Sequence, residues 1–378
     1  MKTPSSPRAA LVALSVSFAA LASCVQQQAD AKPRTSDLPF TVTEMGVFAE
    51  PWAMTFLPGS GVPMTGMALI TEKRGRLVLW SSTTKKAAGV KGVPQPAYGG
   101  QGGLGDVVAH PGFAGNGLIY LSWVEAGKGG VKGAVVARAK LDLSNAASPS
   151  LKNLEIIWRQ TPKVSGSGHF GHRIAFGPDG MLYISSGERQ KQAPAQDPGS
   201  DLGKVIRMKD DGSSPSQMSL GHRNPLGLAF DHQGGLWDVE MGPMGGDELN
   251  LVKAGANYGW PRASNGDQYG GDTIPDHEPG DGFEPPKVWW NPSISPGGLM
   301  IYSGSLFPAW KGDAFIAALG GQALIRVDLD GDKASKADEW DMQARIREVE
   351  QGPDGAIWLL EDGKLGRLLK LTPKAGNP

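Results

Sequence analysis

Five side chains in the sequence are of types that bind and act on charged ligands. The arginines are Arg173, Arg223, Arg345 and Arg347, and His169 lies four residues before the first of them. A guanidinium group pairs with a carboxylate through two parallel hydrogen bonds, so four of them around one pocket suit a ligand with several carboxylates. A histidine beside such a ligand is a candidate general base. Because a single arginine is more often part of a surface ion pair, the prediction depends on the whole group.

A second group of candidate residues suits a hard cation. The segment Glu240–Asn250 contains a Gly-Pro turn, Gly242-Pro243, which is followed by Asp247 and Glu248. Backbone carbonyl and carboxylate oxygens are the ligands that calcium prefers in proteins. The acidic pair has a plainer interpretation as well, in which it only caps and solubilises the loop.

A short unit recurs six times along the chain and predicts the elements that carry these residues. Each unit is a turn rich in glycine, proline or aspartate, followed by a strand with branched or aromatic residues. The six strands are Ala68–Thr71, Leu118–Leu121, Met181–Ile184, Leu236–Val239, Ala314–Ala317 and Ala356–Leu359. Their spacing of roughly 40–80 residues matches one four-stranded blade with its loops. We therefore predict an all-β fold, a six-bladed β-propeller, over the alternative of a pair of β-sandwiches.

The two ends of a propeller must be joined, because an open edge strand would be left unpaired. The segment Phe40–Met45 alternates apolar and polar residues as a strand does. It either completes the blade that ends with Leu368–Leu371 or starts the first blade. We expect the propeller to span residues 39–375, with loops at one end of its channel converging on a shared site.

Composition excludes several classes of protein. The chain has 54 glycines and 29 prolines among 378 residues, which indicates many turns. Helical bundles are disfavoured, since glycine costs about 1 kcal/mol at each helix-interior position. The 37 basic and 38 acidic residues leave a net charge of -1, which argues against a nucleic-acid partner. The one cysteine cannot form an intrachain disulfide or a cysteine-based zinc site.

Residues 1–23 read as an export signal rather than as part of the fold. Lys2 and Arg8 precede an apolar run, Ala9–Ala22, which is too short to span a bilayer comfortably. Cys24 follows Leu-Ala-Ser, and this stretch resembles the signal of bacterial lipoproteins, in which the cysteine becomes the lipidated first residue. The resemblance implies an anchor on the periplasmic side of the outer membrane, with residues 24–38 as a flexible tether. An ordinary signal peptide with an incidental cysteine is the alternative.

Two motifs in the predicted loops resemble the soluble pyrroloquinoline quinone (PQQ)-dependent sugar dehydrogenases, a family of six-bladed propellers that oxidise aldoses. They are Gly221–Pro225 (GHRNP) and the pair Asp247-Glu248 followed by Asn257–Pro261 (NYGWP). The resemblance runs from about Pro51 to Pro373. It implies oxidation of an aldose at C1 to the lactone, with PQQ and calcium as cofactors and an unidentified electron acceptor.

The resemblance also implies a role for each matching residue. His169 would be the base that takes the proton of the C1 hydroxyl while a hydride moves to C5 of the quinone, and Arg223 would polarise a quinone oxygen. The expected cofactor-binding residues are Gln101, Arg173, Arg223, Asn224, Arg345 and Arg347. The carbonyl oxygens of Gly242 and Pro243 would hold the calcium next to the quinone. Glu248 and the carbonyl of Tyr258 would form a second, structural calcium site.

The chain departs from the family pattern at three positions. Leu226 stands where better-studied members have a glutamine, and Gly320 stands where they have a lysine that holds the cofactor. His172 replaces a small residue just before Arg173, so it either crowds the pocket or acts as a second titrating group. These departures leave two other functions open: a lipid-anchored propeller that binds a carbohydrate or a partner without redox activity, and a calcium-dependent hydrolase of sugar lactones.

Overall fold

The computed structural model describes Met1 and residues 37–59 and 66–374. The expected signal peptide, apart from Met1, and the expected tether, apart from residues 37 and 38, lie outside this range, as does Cys24. No helix among the described residues is long and apolar enough to cross a membrane. The helical segments in this part of the chain are short: α1 is Phe113–Asn116, and three 3-10 turns are Lys128–Gly130, Ala193–Gln196 and Pro308–Trp310.

The described chain contains twenty-six strands, and the first, β1, is Phe40–Phe48. Blade 1 consists of β2 Pro51–Phe56, β3 Met67–Glu72, β4 Arg76–Ser81 and β5 Ala87–Gly89. Blade 2 consists of β6 Leu104–Ala109, β7 Leu118–Ala126, β8 Lys132–Asp142 and β9 Ser150–Arg159. Blade 3 consists of β10 Gly171–Phe176, β11 Leu182–Ser186, β12 Lys204–Met208 and β13 Ser216–Leu220.

The second half of the chain repeats this arrangement with one addition. Blade 4 consists of β14 Pro225–Phe230, β15 Leu236–Glu240, β17 Asp247–Val252 and β19 Val288–Trp290, and its loops carry a small sheet of β16 Met244–Gly245 and β18 Gly266–Asp267. Blade 5 consists of β20 Pro296–Ile301, β21 Ala314–Ala318, β22 Ala323–Asp330 and β23 Lys333–Asp341. Blade 6 consists of β24 Ile346–Gln351, β25 Ile357–Glu361, β26 Gly366–Pro373 and β1.

The six sheets form a closed ring. The first strand of every blade contacts the first strand of the next, in the order β2, β6, β10, β14, β20, β24 and back to β2. This arrangement is a six-bladed β-propeller, which confirms the predicted fold and excludes a pair of sandwiches. The six repeated strands of the sequence are the second strands of the six blades, β3, β7, β11, β15, β21 and β25.

The ring closes through strands from opposite ends of the chain. β1 pairs antiparallel with β26, from Phe40 opposite Pro373 to Phe48 opposite Gly366, with an irregularity between Glu44 and Gly46. Of the two interpretations of the first strand, the structure therefore shows the closing strand. β1 is the outermost strand of blade 6, so the chain enters the propeller at its rim.

Buried apolar side chains between neighbouring blades hold the ring together. Trp80 of blade 1 meets Trp358 of blade 6 edge to face, with ring centroids 5.7 Å apart. Phe40 on the closing strand meets Trp340 of blade 5 in the same way, at 5.3 Å. All four rings are buried. Burying one large apolar side chain is worth about 1.5–3 kcal/mol, so these interfaces fix the position of each blade relative to the next.

Candidate active site

The loops at one end of the ring enclose a cavity of about 450 Å³. In every blade, the residues before the first strand and those after the second lie at this same end, because the two strands are antiparallel. Small-molecule sites typically measure about 300–1,000 Å³. The cavity is lined by residues of several blades, among them Trp52, Lys73, Gln101, His172, Leu226, Met241, Leu319, Arg345, Arg347 and Asp362.

His169 is held at the edge of this cavity by two neighbours. Its Nδ1 lies 2.5 Å from Oε1 of Glu188, and its backbone N–H donates to Oε1 of Gln101 at 2.7 Å. Phe170 and Gly171, which follow it, line the cavity. With Nδ1–H donating to the Glu188 carboxylate, Nε2 is the ring nitrogen that can accept a proton. The pair therefore has the geometry of an oriented general base.

The charge state of this pair suits that chemistry. Burial lowers the pKa of His169, and the hydrogen bond that it donates to Glu188 offsets part of that shift. Burial acts to raise the pKa of Glu188, but the hydrogen bond and charge of His169, the backbone N–H of Gln192 and the charge of Arg223 together outweigh it, and the net shift is downward. At neutral pH the carboxylate is therefore ionised and the imidazole is neutral, which is the form that a base needs.

Arg223 and Asn224 are positioned by a second buried carboxylate. Oε2 of Glu240 accepts the backbone N–H of Arg223 at 2.6 Å and that of Asn224 at 3.1 Å. The Arg223 guanidinium donates to the carbonyl of Met241 at 2.8 Å and lies 5.1 Å from the ring of Trp260. Its Nε and the amide of Asn224 are buried and without a hydrogen-bond partner among the described residues. Buried polar groups left in this state fit a site that receives a polar ligand.

Arg345 and Arg347 lie in the cavity wall and share one carboxylate. Arg347 donates to Oδ1 of Asp362 through Nη2 at 3.0 Å and through Nε at 3.3 Å. Arg345 donates to Oδ2 of the same group at 3.0 Å. Burial acts to raise the pKa of Asp362, but Arg347 and Arg345 outweigh it and lower the pKa. Two guanidinium groups with one carboxylate between them leave a positive charge facing the cavity.

Arg173 lies deeper in the channel than the other three arginines. Its Nη1 donates to Glu348 and, at 3.4 Å, to Oδ1 of Asp106, and its Nε donates to the carbonyl of Leu226 at 2.5 Å. The guanidinium also lies 4.2 Å from the ring of Trp52, which separates it from the cavity. The structure thus places Arg345 and Arg347 in the wall of the cavity and Arg223 at the neighbouring small cavity bordered by Glu240 and Glu248. It pairs Arg173 with Asp106 and Glu348.

His172 forms part of the cavity floor. Its Nδ1 lies 2.8 Å from Oγ of Ser122, and its ring stacks on Trp52 with centroids 5.0 Å apart. Burial, with Arg173 nearby, lowers the pKa of His172 to about 3. A Cβ added to Gly105 would lie 1.9 Å from the imidazole, so a glycine at that position makes room for it. The ring is therefore neutral at physiological pH and is not a second titrating group there.

The structure also shows what surrounds the other two departures from the family pattern, Leu226 and Gly320. Leu226 packs with Trp52, Ala53 and Met241 and gives the cavity an apolar wall. At Gly320, an added Cβ would lie 2.7 Å from Oγ of Ser295. Position 320 therefore has little room for a lysine unless Ser295 moves.

The predicted calcium turn is fixed by a third carboxylate. Oδ1 of Asp247 accepts the backbone N–H of Gly242 at 2.8 Å, and its Oδ2 accepts the N–H of Ser295 at 2.7 Å. No hydrogen bond between described residues ends on the carbonyl oxygen of Gly242 or Pro243. A Cβ at Gly242 would lie 2.3 Å from the carbonyl oxygen of Gly245, so only glycine fits this bend. The free carbonyls and the tight turn fit a hard cation.

Glu248 and Tyr258 border a cavity of about 10 Å³ that also contacts Glu240. Burial raises the pKa of Glu248 well above its ordinary value, and the nearby carboxylates of Glu240 and Asp238 add to the shift. His222 joins this cluster, with Nδ1 3.0 Å from Oε1 of Glu240. Against the effect of burial, the same carboxylates, Asp238 and Glu240, raise the pKa of His222 to about 10. A cation bound among the three carboxyl groups would relieve their mutual repulsion, which is the electrostatic setting of a cation site.

Comparisons with known proteins decide the family. The model of the glucose / sorbosone dehydrogenase family matches residues 48–370, which cover nearly the whole propeller. The chain belongs to the glucose/sorbosone dehydrogenase family. It is therefore an enzyme of a sugar oxidoreductase family, and this membership favours oxidation over the non-redox binding protein and the lactone hydrolase.

Individual relatives agree with this family. The chain is 38% identical to aldose sugar dehydrogenase YliI of Escherichia coli, over 86% of this chain and 90% of that protein. It is 25% identical to quinoprotein glucose dehydrogenase B of Acinetobacter calcoaceticus, over 97% and 91%. The apo form of the soluble E. coli aldose sugar dehydrogenase has a TM-score of 0.82 at 35% identity, covering 89% of this chain and 100% of that one. The PQQ-bound form of aldose sugar dehydrogenase from Streptomyces coelicolor has a TM-score of 0.72 at 27% identity, covering 90% and 99%.

Sequence reasoning missed several residues at this family member's site. Glu188, Glu240 and Asp362 hold the predicted residues, and Lys73 and Trp52 line the cavity. The first three and Lys73 sit at or just after the end of a second strand. The second strands of the blades end on the same side of the ring as the predicted loops. The residues that follow each repeated strand could therefore have been predicted to lie near the site.

Proposed function

We propose that this protein oxidises aldoses at C1 to the lactone with PQQ and calcium as cofactors, and that His169 is the base. The observation that carries the proposal is the oriented pair of His169 and Glu188 at the edge of a cavity walled by Arg345 and Arg347. The family supplies the reaction class, and the names of the Streptomyces and Acinetobacter relatives supply the quinone.

The residues of the cavity fit PQQ, which is a planar tricarboxylate. The arginine pair offers guanidinium groups to carboxylates. Arg223 and Asn224, which are bonded to the cavity-lining residue Met241, offer buried polar atoms that lack a partner among the described residues. Trp52 and Leu226 supply apolar surface for a ring system. When bound, PQQ supplies the two-electron acceptor that takes the hydride from C1 of the sugar.

The protein's own part is to bind, orient and move a proton. The C1 hydroxyl gives its proton to Nε2 of His169 as the C1–H bond breaks, and the Glu188 carboxylate stabilises the imidazolium that results. Gln101 holds the backbone of His169, which fixes the direction of the ring. The aldose leaves as its lactone, with two electrons and two protons fewer. The acceptor that later takes those electrons is not identified.

Calcium has two candidate positions on blade 4. The carbonyl oxygens of Gly242 and Pro243 would hold one ion at the cofactor, where a cation acts as a Lewis acid. Glu248 and the carbonyl of Tyr258 would hold a second ion, which neutralises the buried carboxylates around it. The same proposal includes export, with a lipid anchor at Cys24 as the membrane contact.

Reconstitution tests the proposal. Purified apoprotein is mixed with PQQ and calcium, an aldose is added, and reduction of an artificial dye is followed. We expect turnover that depends on PQQ, on calcium and on the sugar, with lactone as the product. A protein that binds no PQQ and reduces no dye in the complete mixture would overturn the proposal.

A further inference from the structure

Lys73 is a cation in the wall of the cavity that the sequence reasoning did not include. It directly follows β3 and lines the cavity together with Arg345 and Arg347. Its backbone is fixed on both sides, since its N–H donates to the carbonyl of Glu50 at 3.0 Å and its own carbonyl accepts the N–H of Leu104 at 2.9 Å. The base of the side chain is therefore rigid, and the ammonium group lies at the end of a flexible stem.

The ammonium group of Lys73 is poorly neutralised. Nζ donates to the carbonyl oxygen of Gly100 at 3.2 Å. Among the described residues, no carboxylate forms a salt bridge with it. Two carboxylates lie in the cavity wall, Asp362 and Glu50. Asp362 is held by the arginine pair. Glu50 is bound by Arg74 at 2.7 Å and by the hydroxyl of Tyr98 at 2.8 Å.

The surroundings of Lys73 make a bound anion favourable. Burial lowers the pKa of Lys73 and the nearby charge of Arg347 lowers it further, and the carboxylates of Asp362 and Glu50 offset only part of this shift. Lys364 lines the same cavity, so four cations face two carboxylates there. Both carboxylates already have arginine partners. An anionic ligand in the cavity would relieve this repulsion and would give Lys73 a charged partner.

We infer that Lys73 binds a carboxylate of the quinone cofactor from blade 1, beside the arginine pair of blade 6. The inference deepens the proposed function and rests on it. It also explains how the chain tolerates glycine at position 320, where the family resemblance leads to a lysine. In this proposal, Lys73 on blade 1 supplies the ammonium group that a lysine at position 320 would otherwise provide. Ser295 leaves little room for such a lysine.

A binding measurement tests this role without using turnover. Apoprotein with calcium is titrated with PQQ, and tryptophan fluorescence is followed, since Trp52 lines the cavity and reports its occupancy. We expect Lys73→Met to raise the dissociation constant by about 10-fold or more. Lys73→Arg, which keeps the charge, should stay within about three-fold of the wild type. Raised salt should weaken the wild type more than Lys73→Met, because the variant has one charge fewer to screen.

Lys86→Met is the matched control. Lys86 is exposed in the turn after β4 of the same blade, and this turn is at the opposite end of the strand from the cavity. Its substitution should leave the dissociation constant unchanged. If Lys73→Met binds PQQ as tightly as the wild type, the inference is wrong while the proposed function stands. If the wild type itself shows no saturable quenching by PQQ, both the inference and the proposed cofactor fail.

Discussion

At the scale of single residues, buried carboxylates hold the functional groups of the site. Glu188 orients His169, Glu240 accepts two backbone N–H groups of the loop with Arg223, and Asp362 joins the arginine pair. Each of these carboxylates ends the second strand of its blade or follows it by one or two residues. The same place in the repeat thus supplies the supporting group for three different functional elements.

The base itself is the most direct target for mutation. His169→Ala should lower turnover by about 100-fold or more, because general-base catalysis contributes that amount. PQQ affinity should change little, since the residues proposed to hold the cofactor are elsewhere. Turnover close to that of the wild type, measured at saturating sugar, would remove His169 from the mechanism. His172 is a poor alternative base, because burial lowers its pKa to about 3 and its Nδ1 already lies 2.8 Å from Oγ of Ser122.

Glu188 should act through the pKa of His169. The base works in its neutral form, so kcat/KM should fall as the pH drops through that pKa, below its ordinary value of about 6.5. Glu188→Gln removes the hydrogen bond and charge that raise the pKa of His169, while burial, Arg223 and Arg189 continue to lower it. The acid limb of the profile should therefore move to lower pH, and the plateau should fall because the imidazolium is less stabilised.

The profile is measured as kcat/KM between about pH 4.5 and 8. Glu155→Gln is a suitable control, because Glu155 is an exposed carboxylate paired with Arg138 in the outer strands of blade 2. Glu155→Gln should leave both the acid limb and the plateau of the kcat/KM profile unchanged. An acid limb that stays at the same pH in Glu188→Gln would show that another group controls it.

At the scale of elements, the contribution of the closing strand β1 to stability can be tested directly by mutation. Phe40 is buried against Trp340 and Trp310, whereas Val42 on the same strand is 37% exposed. Phe40→Ala should lower the free energy of unfolding by about 3–5 kcal/mol, the usual effect of removing a buried aromatic ring. Val42→Ala should change it by less than about 0.5 kcal/mol. Denaturant unfolding of both variants, followed by fluorescence, measures the difference.

How much of this could be predicted from the sequence depends on the range of the interactions. The blades were predictable because each one repeats a local signal, a turn such as Gly352–Gly355 before a strand. The placement of Arg173 was not, since it depends on Glu348, which is 175 positions away in the chain. The pairing of His169 with Glu188 was missed for a related reason. Their side chains meet only once β10 and β11 have paired.

At the scale of the whole molecule, the near-zero net charge hides a separation of charge along the channel. One mouth carries Lys73, Lys364 and the arginine pair. Farther along the inner strands, a cavity of about 200 Å³ is lined by Asp106, Arg173, Glu348 and Glu350. The field of such an arrangement favours the entry of anions at one end of the ring only.

The proposed anchor makes a prediction for the intact protein. Cys24 precedes the first strand, which starts at Phe40 on the rim of the ring. Cys24→Ser should therefore move the protein from the membrane fraction of a bacterial host to the soluble fraction, while the melting temperature stays the same. Gln28→Ala, in the proposed tether, should leave the distribution as it is. A wild type found only in the soluble fraction would contradict the anchor.

Because β1 closes the ring, the last blade can be completed only at the end of synthesis. β1 is the first strand of the propeller to leave the ribosome, and its partner β26 is the last. Until β26 has emerged, β1 has no partner and the sixth blade keeps an open edge. Open strand edges pair readily with other chains. A chaperone that shields Phe40–Phe48 until translation ends would therefore protect the nascent protein where it is most prone to aggregate.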